Sequence, residues 1–454
     1  MRTEWFRQTD FTSYIIWWEE RPTVQQRVTT VGQGRVQGDF MNTSRREWLA
    51  QSGLFVAASA LPGGVTFDVP HGRGRSVRDD FPFADTCTYL TNAYVHPMSL
   101  STRRAVQAFA DERTFGSPAT HTPDVPVPVS GIKSLFATII GAKDSDIALV
   151  PSTMAGENLV LRGLGIPQSG GNVVTDALHF DGSLYMYQNL QLQGLDLRMV
   201  MPRDGAVHLA DMERVIDKNT KLVAISYVSW LNGFKHDLRR VCDLAHANGA
   251  LVYVDVIQAA GAVPLDVIAA GVDCCACASY KWLMADFGVG FLYVREGLAG
   301  HRIARTLYGY RQMDEFETHL FPGDSPGTGP VSWKQRATTA SHFEVGTWSS
   351  STIAALGHSL QFIKDFGVAN IYAHNHALAT RIRNELPRLG YPTITPPDAY
   401  GNIVSFQVRN RADTETRLRK ANVFVTFHGQ SRMRVSPSIY NNDADVDAFL
   451  SALS

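Results

Sequence analysis

Residues Leu251–Tyr293 read LVYVDVIQAAGAVPLDVIAAGVDCCACASYKWLMADFGVGFLY, and the reading of this stretch decides the fold. An apolar run, Leu251 to Val254, ends on an acid, Asp255, and Gln258 follows it. A second apolar run, Cys274–Ala278, delivers Ser279, Tyr280 and Lys281. A turn with Gly288 and Gly290 leads into a third run, Phe291–Val294. Short apolar runs bounded by turn residues read as buried strands. An acid at one strand end and a lysine just past another can converge at one edge of a sheet.

Outward from this stretch, an alternating pattern extends upstream. Strands are expected at Ile147–Val150, Asn172–Asp176, Leu195–Met201 and Lys221–Val228. Helices are expected between and after them, at Met154–Leu164, Leu184–Gln193, Ala210–Ile216 and Leu238–Ala247. Strands alternating with helices imply an α/β fold with a mostly parallel sheet covered on both faces. Ligands bind such sheets at the carboxyl ends of the strands. Ser152, His179, Trp230, Asp255 and Lys281 all fall there.

Further upstream, Phe81–Ala93 reads as a lead-in strand with a turn, and Thr102–Ala110 as a short amphipathic helix. Phe115–Pro128 holds four prolines and reads as an extended loop. Val129–Ile140 resumes helical spacing. Downstream, Tyr308–Thr347 is irregular. Helices at Ser350–Phe366, Asn370–Leu386 and Asp443–Leu453, with strands at Ile403–Val408, Val423–Thr426 and Met433–Ser436, make a smaller α+β terminal domain. The expected division is an extension over 1–78, a large domain over 79–335 and a small one over 336–454.

The chain has 454 residues, 44% hydrophobic and 19% charged, enough for a sizeable core. A formal net charge of −1 offers no basis for a nucleic-acid partner. No apolar run approaches the ~20 residues of a membrane span. Of five cysteines, three share one strand; no zinc-type spacing appears, no metal is expected, and they read as buried small hydrophobes. Near the start, Arg45 and Arg46 precede a mildly apolar stretch, Gly53 to Leu61, that contains Ala58-Ser59-Ala60. That arrangement looks like a twin-arginine export signal, placed as such signals are if Met41 is the start. The alternative is a leader without an address in a cytoplasmic protein.

Chemically, the opening stretch offers a carboxylate and an amine. A lysine amine can form a Schiff base with an aldehyde. An aspartate beside a pyridine nitrogen keeps it protonated and makes the ring an electron sink. That pair is the minimal protein contribution to pyridoxal phosphate chemistry. With its neighbours the stretch resembles the class V aminotransferase family, pyridoxal 5′-phosphate-dependent transferases of fold type I, from about Tyr89 to the C-terminus. The resemblance implies that Lys281 is the Schiff-base lysine, Asp255 the partner of the pyridine nitrogen, and Gln258 a neighbour of the phenolic oxygen.

Further segments carry the same resemblance. ALVPSTMAGENLVL puts Ser152, Thr153 and Met154 between a strand and a helix, where free backbone N–H groups suit the cofactor phosphate. An ordinary N-cap there is equally compatible. In TDALHFDGS, His179 matches the ring-stacking position, with Phe180 as the alternative. Ser279-Tyr280-Lys281 looks like the form found in kynureninases and makes Ser279 and Tyr280 candidate phosphate donors. Phe343-Glu344-Val345-Gly346-Thr347 matches a segment whose Gly346 and Thr347 would reach the phosphate of a partner subunit, so a homodimer with a shared active site is implied.

On the substrate side, Arg432–Pro437 and Tyr440-Asn441 resemble the family's terminal segment. Arg434 is then the clamp on an amino-acid α-carboxylate. Asn92 and Trp230 are further candidates for the substrate side. Desulfurases and selenocysteine lyases of the family accept sulfur on a cysteine in the terminal domain, and no cysteine follows Cys277. The chain looks closest to the isopenicillin N epimerase-like branch. That implies an enzyme acting at the α-carbon of an amino acid by transamination or epimerisation. Carbon–sulfur β-lyase action on a cysteine conjugate is the alternative, as is a non-catalytic protein that binds the cofactor or an amino acid.

Overall fold

A computed structural model describes residues 76–116 and 128–454. The paired arginines, Arg45 and Arg46, and most of the proline-rich loop lie outside the described residues. In chain order come β1 (Thr88–Tyr89), α1 (Leu100–Phe115), α2 (Val129–Ile140), β2 (Ile147–Val150), α3 (Thr153–Gly163), β3 (Asn172–Asp176), α4 (Asp181–Leu192), β4 (Asp196–Val200), α5 (Leu209–Glu213) and β5 (Thr220–Ser226). They are followed by α6 (Leu238–Ala247), β6 (Leu251–Asp255), α7 (Val267–Ala270), β7 (Cys274–Ala278), β8 (Gly290–Val294), β9 (Met313–Thr318), β10 (Val331–Gln335), α8 (Thr339–Phe343), α9 (Ser350–Phe366) and α10 (Val368–Glu385). The chain closes with β11 (Val404–Gln407), α11 (Arg411–Lys420), β12 (Val423–Phe424), β13 (Thr426–His428), β14 (Arg432–Val435) and α12 (Asp443–Leu453).

Seven strands form one sheet in the order β2-β8-β7-β6-β5-β3-β4. β8 alone is reversed, antiparallel to both β2 and β7. The sheet is apolar on both faces because helices cover both, and strand alternation sorts the side chains. Val252, Val254, Cys275, Cys277 and Phe291 pack with α2, α6 and α9. Tyr253, Cys274, Ala276 and Leu292 pack with α3 and α4. Gly290 opens β8 because a Cβ there would stand 2.7 Å from the Cys277 carbonyl oxygen. Asp237 and Ser349 cap α6 and α9 by accepting N–H bonds from Arg240 and Thr352.

A smaller sheet, β11-β14-β13, is antiparallel. Its apolar side packs with α10, α11 and α12 around Phe406, Met433 and Phe449. The segment read as a lead-in strand is mostly not one: two 3-10 turns precede a two-residue β1. β1 pairs in parallel with β12, and Leu90 joins the small-sheet core. Arg78, assigned from sequence to the extension, is already part of the fold. Its guanidinium pairs with Asp445 at 2.7 Å and donates to the carbonyls of Tyr440 and Ala84.

The stretch expected to be irregular holds an antiparallel hairpin, β9 with β10, bulged between Ser332 and Lys334. All of β10 is exposed, and Phe316 and Trp333 point to solvent. Without an apolar face to bury, MDEFET and VSWKQ carry little strand signal.

Phe291 of β8 stacks on Phe136 of α2, centroids 4.1 Å apart and ring planes nearly parallel, with neither ring exposed. Phe291→Ala should cost about 3–5 kcal/mol in urea unfolding. A loss below about 1 kcal/mol would show that this contact does not hold α2 to the sheet.

Candidate active site

Parallel pairing of β5, β6 and β7 brings Ser226, Asp255 and Ala278 to one edge, since Ser226 pairs with Asp255 and Asp255 with Ala276. The chain turns after Ala278 to deliver Lys281. Asp255 is 3% exposed. One carboxylate oxygen accepts the Ile257 N–H at 2.9 Å. Burial pushes this acid up to about 6, while His179, the Ile257 N–H and Lys281 pull the other way. Lys281 is 8% exposed. Burial and the Arg434 charge bring its amine down to about 8, opposed by Asp255. Two buried groups of opposite sign thus titrate on either side of neutrality, the condition for proton transfer at physiological pH.

α3 starts where β2 ends. The Ser152 hydroxyl accepts the Ala155 N–H at 3.1 Å as its cap. The Thr153 hydroxyl accepts the Ala278 N–H at 2.9 Å and ties the helix start to the end of β7. The N–H groups of Thr153 and Met154 lie in the first turn, where no intrahelical carbonyl reaches them. The start of α3 lies at the same sheet edge, because Val150 pairs with Gly290 and Gly290 with Ala278.

His179, after β3, has no exposed surface. Its Nδ1 lies 2.8 Å from the Ser226 hydroxyl and its Nε2 3.2 Å from Glu157. Its carbonyl accepts the Trp230 indole N–H at 3.2 Å, and the Trp230 carbonyl accepts Nη1 of Arg434 at 2.8 Å. His179, Trp230 and Arg434 therefore form one chain from the sheet edge to β14. Phe180 sits edge-on to Trp230 at 6.1 Å rather than in the place of His179.

Other candidates are placed less simply. Gln258 donates to the Ala93 carbonyl at 3.0 Å and accepts the Trp282 indole N–H at 2.9 Å. Ser279 donates its hydroxyl to the carbonyls of Asp286 and Val289, in the turn before β8. Tyr280 stacks on Phe287 at 4.5 Å. Burial pushes its phenol up to about 12, so it stays a neutral donor.

Asn92 lies just after β1. It has no exposed surface. Its amide donates to the Ser436 carbonyl at 2.9 Å and accepts from Tyr440 at 2.6 Å. It clamps the N-terminal segment to β14. Gly346 and Thr347 lie between α8 and α9. They bond to Arg311 (2.8 Å) and Tyr310 (3.2 Å), not to the Lys281 cluster.

Glu157 was not singled out from the sequence. Its signal was present: an acid in the helical turn ahead of the apolar Leu159–Leu161 needs partners if it is buried. His428 was also missed. It packs edge-on against Trp230 at 4.8 Å, and burial with Arg434 beside it lowers its pKa to about 3. The five cysteines are free thiols, four of them buried. Burial raises the pKa of all five.

The aminotransferase class-V family profile matches residues 127–449, and the chain belongs to that family. The chain is 25% identical over 343 residues to a probable cysteine desulfurase of Methanothermobacter thermautotrophicus, covering 74% of this chain and 82% of that one. Its fold is similar to the apo cysteine desulfurase of Thermococcus onnurineus NA1, with a TM-score of 0.69 at 23% identity over 83% of this chain and 96% of that one. It is also similar to the cystine C-S lyase C-DES in complex with cysteine persulfide, with a TM-score of 0.65 at 18% identity over 82% and 98%. These structural likenesses establish a fold type I architecture. Family membership supports pyridoxal phosphate as the cofactor, and a buried acid, a buried amine and an open helix N-terminus at one sheet edge fit that group.

Two measurements test this electrostatic description. An amine attacks an aldehyde only when neutral. Uptake of pyridoxal phosphate by the ligand-free chain should therefore accelerate up to about pH 8 and then level; an unperturbed lysine would keep accelerating toward about 10.4. Asp255, raised above its unfolded value, destabilises the fold as pH rises through that value, with the full effect above about 6. Asp255→Asn should therefore melt higher than the parent above about pH 6 and converge with it below about pH 4, while turnover falls by about 10²-fold or more.

Proposed function

We propose that the chain is a pyridoxal phosphate-dependent β-lyase that cleaves the carbon–sulfur bond of a cysteine-type amino acid and releases the sulfur product to solution. One observation carries this reading: the chain matches a probable cysteine desulfurase over most of its length, yet has no cysteine after Cys277. The four buried cysteines are poor acceptors, because burial holds them as thiols and the thiolate is the reactive form. A lyase named for cystine and for a cysteine persulfide product has the same fold. The relatives thus favour the carbon–sulfur side of the family over the epimerase-like branch and over transamination.

When bound, pyridoxal phosphate supplies an aldehyde that takes the substrate amine and a ring that accepts electrons from the α-carbon. On this reading the Thr153 and Met154 N–H groups hold the phosphate, and His179 lies against the ring. Asp255 holds a proton on the ring nitrogen. Arg434, oriented by the Trp230 carbonyl, binds the substrate carboxylate. Lys281 removes the α-proton, a task its lowered pKa suits near neutral pH. The β-carbon–sulfur bond then breaks with its electron pair on sulfur. With one water consumed, the products are a thiol or persulfide, pyruvate and ammonia, with no net oxidation. The enzyme acts as a homodimer on this reading, Gly346 and Thr347 reaching the phosphate site of the partner subunit. In support, neither residue bonds to its own Lys281 cluster.

The test is incubation of the holoenzyme with L-cystine, an S-alkyl-L-cysteine and L-alanine in deuterium oxide. Pyruvate and a thiol or persulfide from the sulfur substrates alone, abolished in Lys281→Ala, are expected. An α-keto acid retaining its β-substituent, or racemised and deuterated alanine, would overturn the lyase reading in favour of transamination or epimerisation.

A further inference from the structure

The helix that carries Thr153 also carries Glu157, which the reaction above does not use. Glu157 has no exposed surface. It lies among Leu159, Val160 and Tyr253, yet accepts three hydrogen bonds: from Ser183 at 2.6 Å, Tyr187 at 2.8 Å and His179 at 3.2 Å. A carboxylate this far from water needs a counter-charge as well as hydrogen bonds. The two hydroxyls bring no charge. Among the described residues, the one cationic group within ion-pair distance of Glu157 is His179. On its other side the same ring meets the Ser226 hydroxyl. An imidazole can donate from both nitrogens only as the cation.

We propose that Glu157 is a positioning residue that holds His179 as an imidazolium, so that a fixed positive charge separates two buried carboxylates, Glu157 and Asp255. Its consequence for the cofactor rests on the reading of this site as a pyridoxal phosphate site; the charge on His179 does not. The charged groups facing His179 are Glu157 from α3, Asp176 from the end of β3 and Asp255 from β6, with Tyr187 packed beside it from α4. Asp176 is already engaged by His236 at 3.1 Å and by the Leu178 N–H. Burial alone would push His179 toward neutrality, but Glu157 first, then Asp255 and Asp176, more than reverse this. From Glu157 through His179 and Asp255 to Lys281 the charges alternate in sign. The cation offsets the burial of Asp255 and keeps it ionised, the state in which it can hold a proton on a pyridine nitrogen.

The first test is a neutron structure of the full chain at neutral pD. Deuterons on both Nδ1 and Nε2 of His179 are expected; one deuteron overturns the proposal. The second is the pH titration of the visible absorbance of the holoenzyme. Glu157→Gln removes the anion and with it the cation near the cofactor. The midpoint should rise by on the order of half a pH unit, because one of the positive charges near Lys281 is removed. Tyr187→Phe removes a hydrogen bond from Glu157 but not the ion pair, and should leave the midpoint in place. An unmoved midpoint in Glu157→Gln, or an equal shift in Tyr187→Phe, reduces Glu157 to packing and overturns the proposal. If Glu157→Gln does not fold, the neutron map of the unaltered chain decides. If pyridoxal phosphate added to that chain produces no visible absorbance, the cofactor reading fails while the neutron result still judges His179.

Discussion

The site depends on the burial of two opposite charges at one sheet edge. Asp255 and Lys281 are both nearly inaccessible, and burial drives each toward its neutral form, the acid up to about 6 and the amine down to about 8. In water the pair would be an unremarkable ion pair with both groups fully charged near neutrality. Within the fold, small changes around them decide where a proton resides. The parallel register of β6 and β7 places them there, and the reversal of β8 makes room for the turn that carries Lys281. β2, paired to β8, brings the start of α3 to the same edge. Sheet order therefore unites acid, amine and open helix N-terminus without any of them being near the others in sequence.

A second constraint ties the smaller sheet to this edge. Arg434 donates to the Trp230 carbonyl, and the Trp230 indole donates to the His179 carbonyl. Asn92 joins the N-terminal segment to Ser436 and Tyr440, while Gln258 joins Ala93 and Trp282. Through these bonds the guanidinium on β14 has a fixed position relative to Lys281. On the proposed reading, a substrate carboxylate held by Arg434 would be registered against the amine. Asn92 and Ser279, expected to touch substrate and cofactor, bond to the scaffold around the site.

Much of this was legible in the residues. Strand–helix alternation exposed the sheet because buried strands such as Cys274–Ala278 leave unbroken apolar runs, and their flanking turns marked the ligand edge. Asp255, His179, Lys281 and Arg434 were singled out because each stands at a strand end or inside a recognisable motif. The β9–β10 hairpin escaped because a ribbon with no apolar face has no period to detect. Glu157 escaped because a single acid in a helix reads as surface until its three partners, from α4 and the turn after β3, are seen to converge on it. The branch of the family was drawn from Tyr280 and from the absence of a cysteine after Cys277, and neither carries much information about the substrate.

Lys281 as the site of cofactor attachment is the claim from which the chemistry follows, and a covalent trap tests it most directly. The chain is saturated with pyridoxal phosphate, reduced with borohydride, digested, and mapped by mass spectrometry. A single phosphopyridoxyl group on the peptide containing Lys281, absent from Lys281→Ala, is predicted. A label on another lysine, or no label in a folded chain, would contradict it.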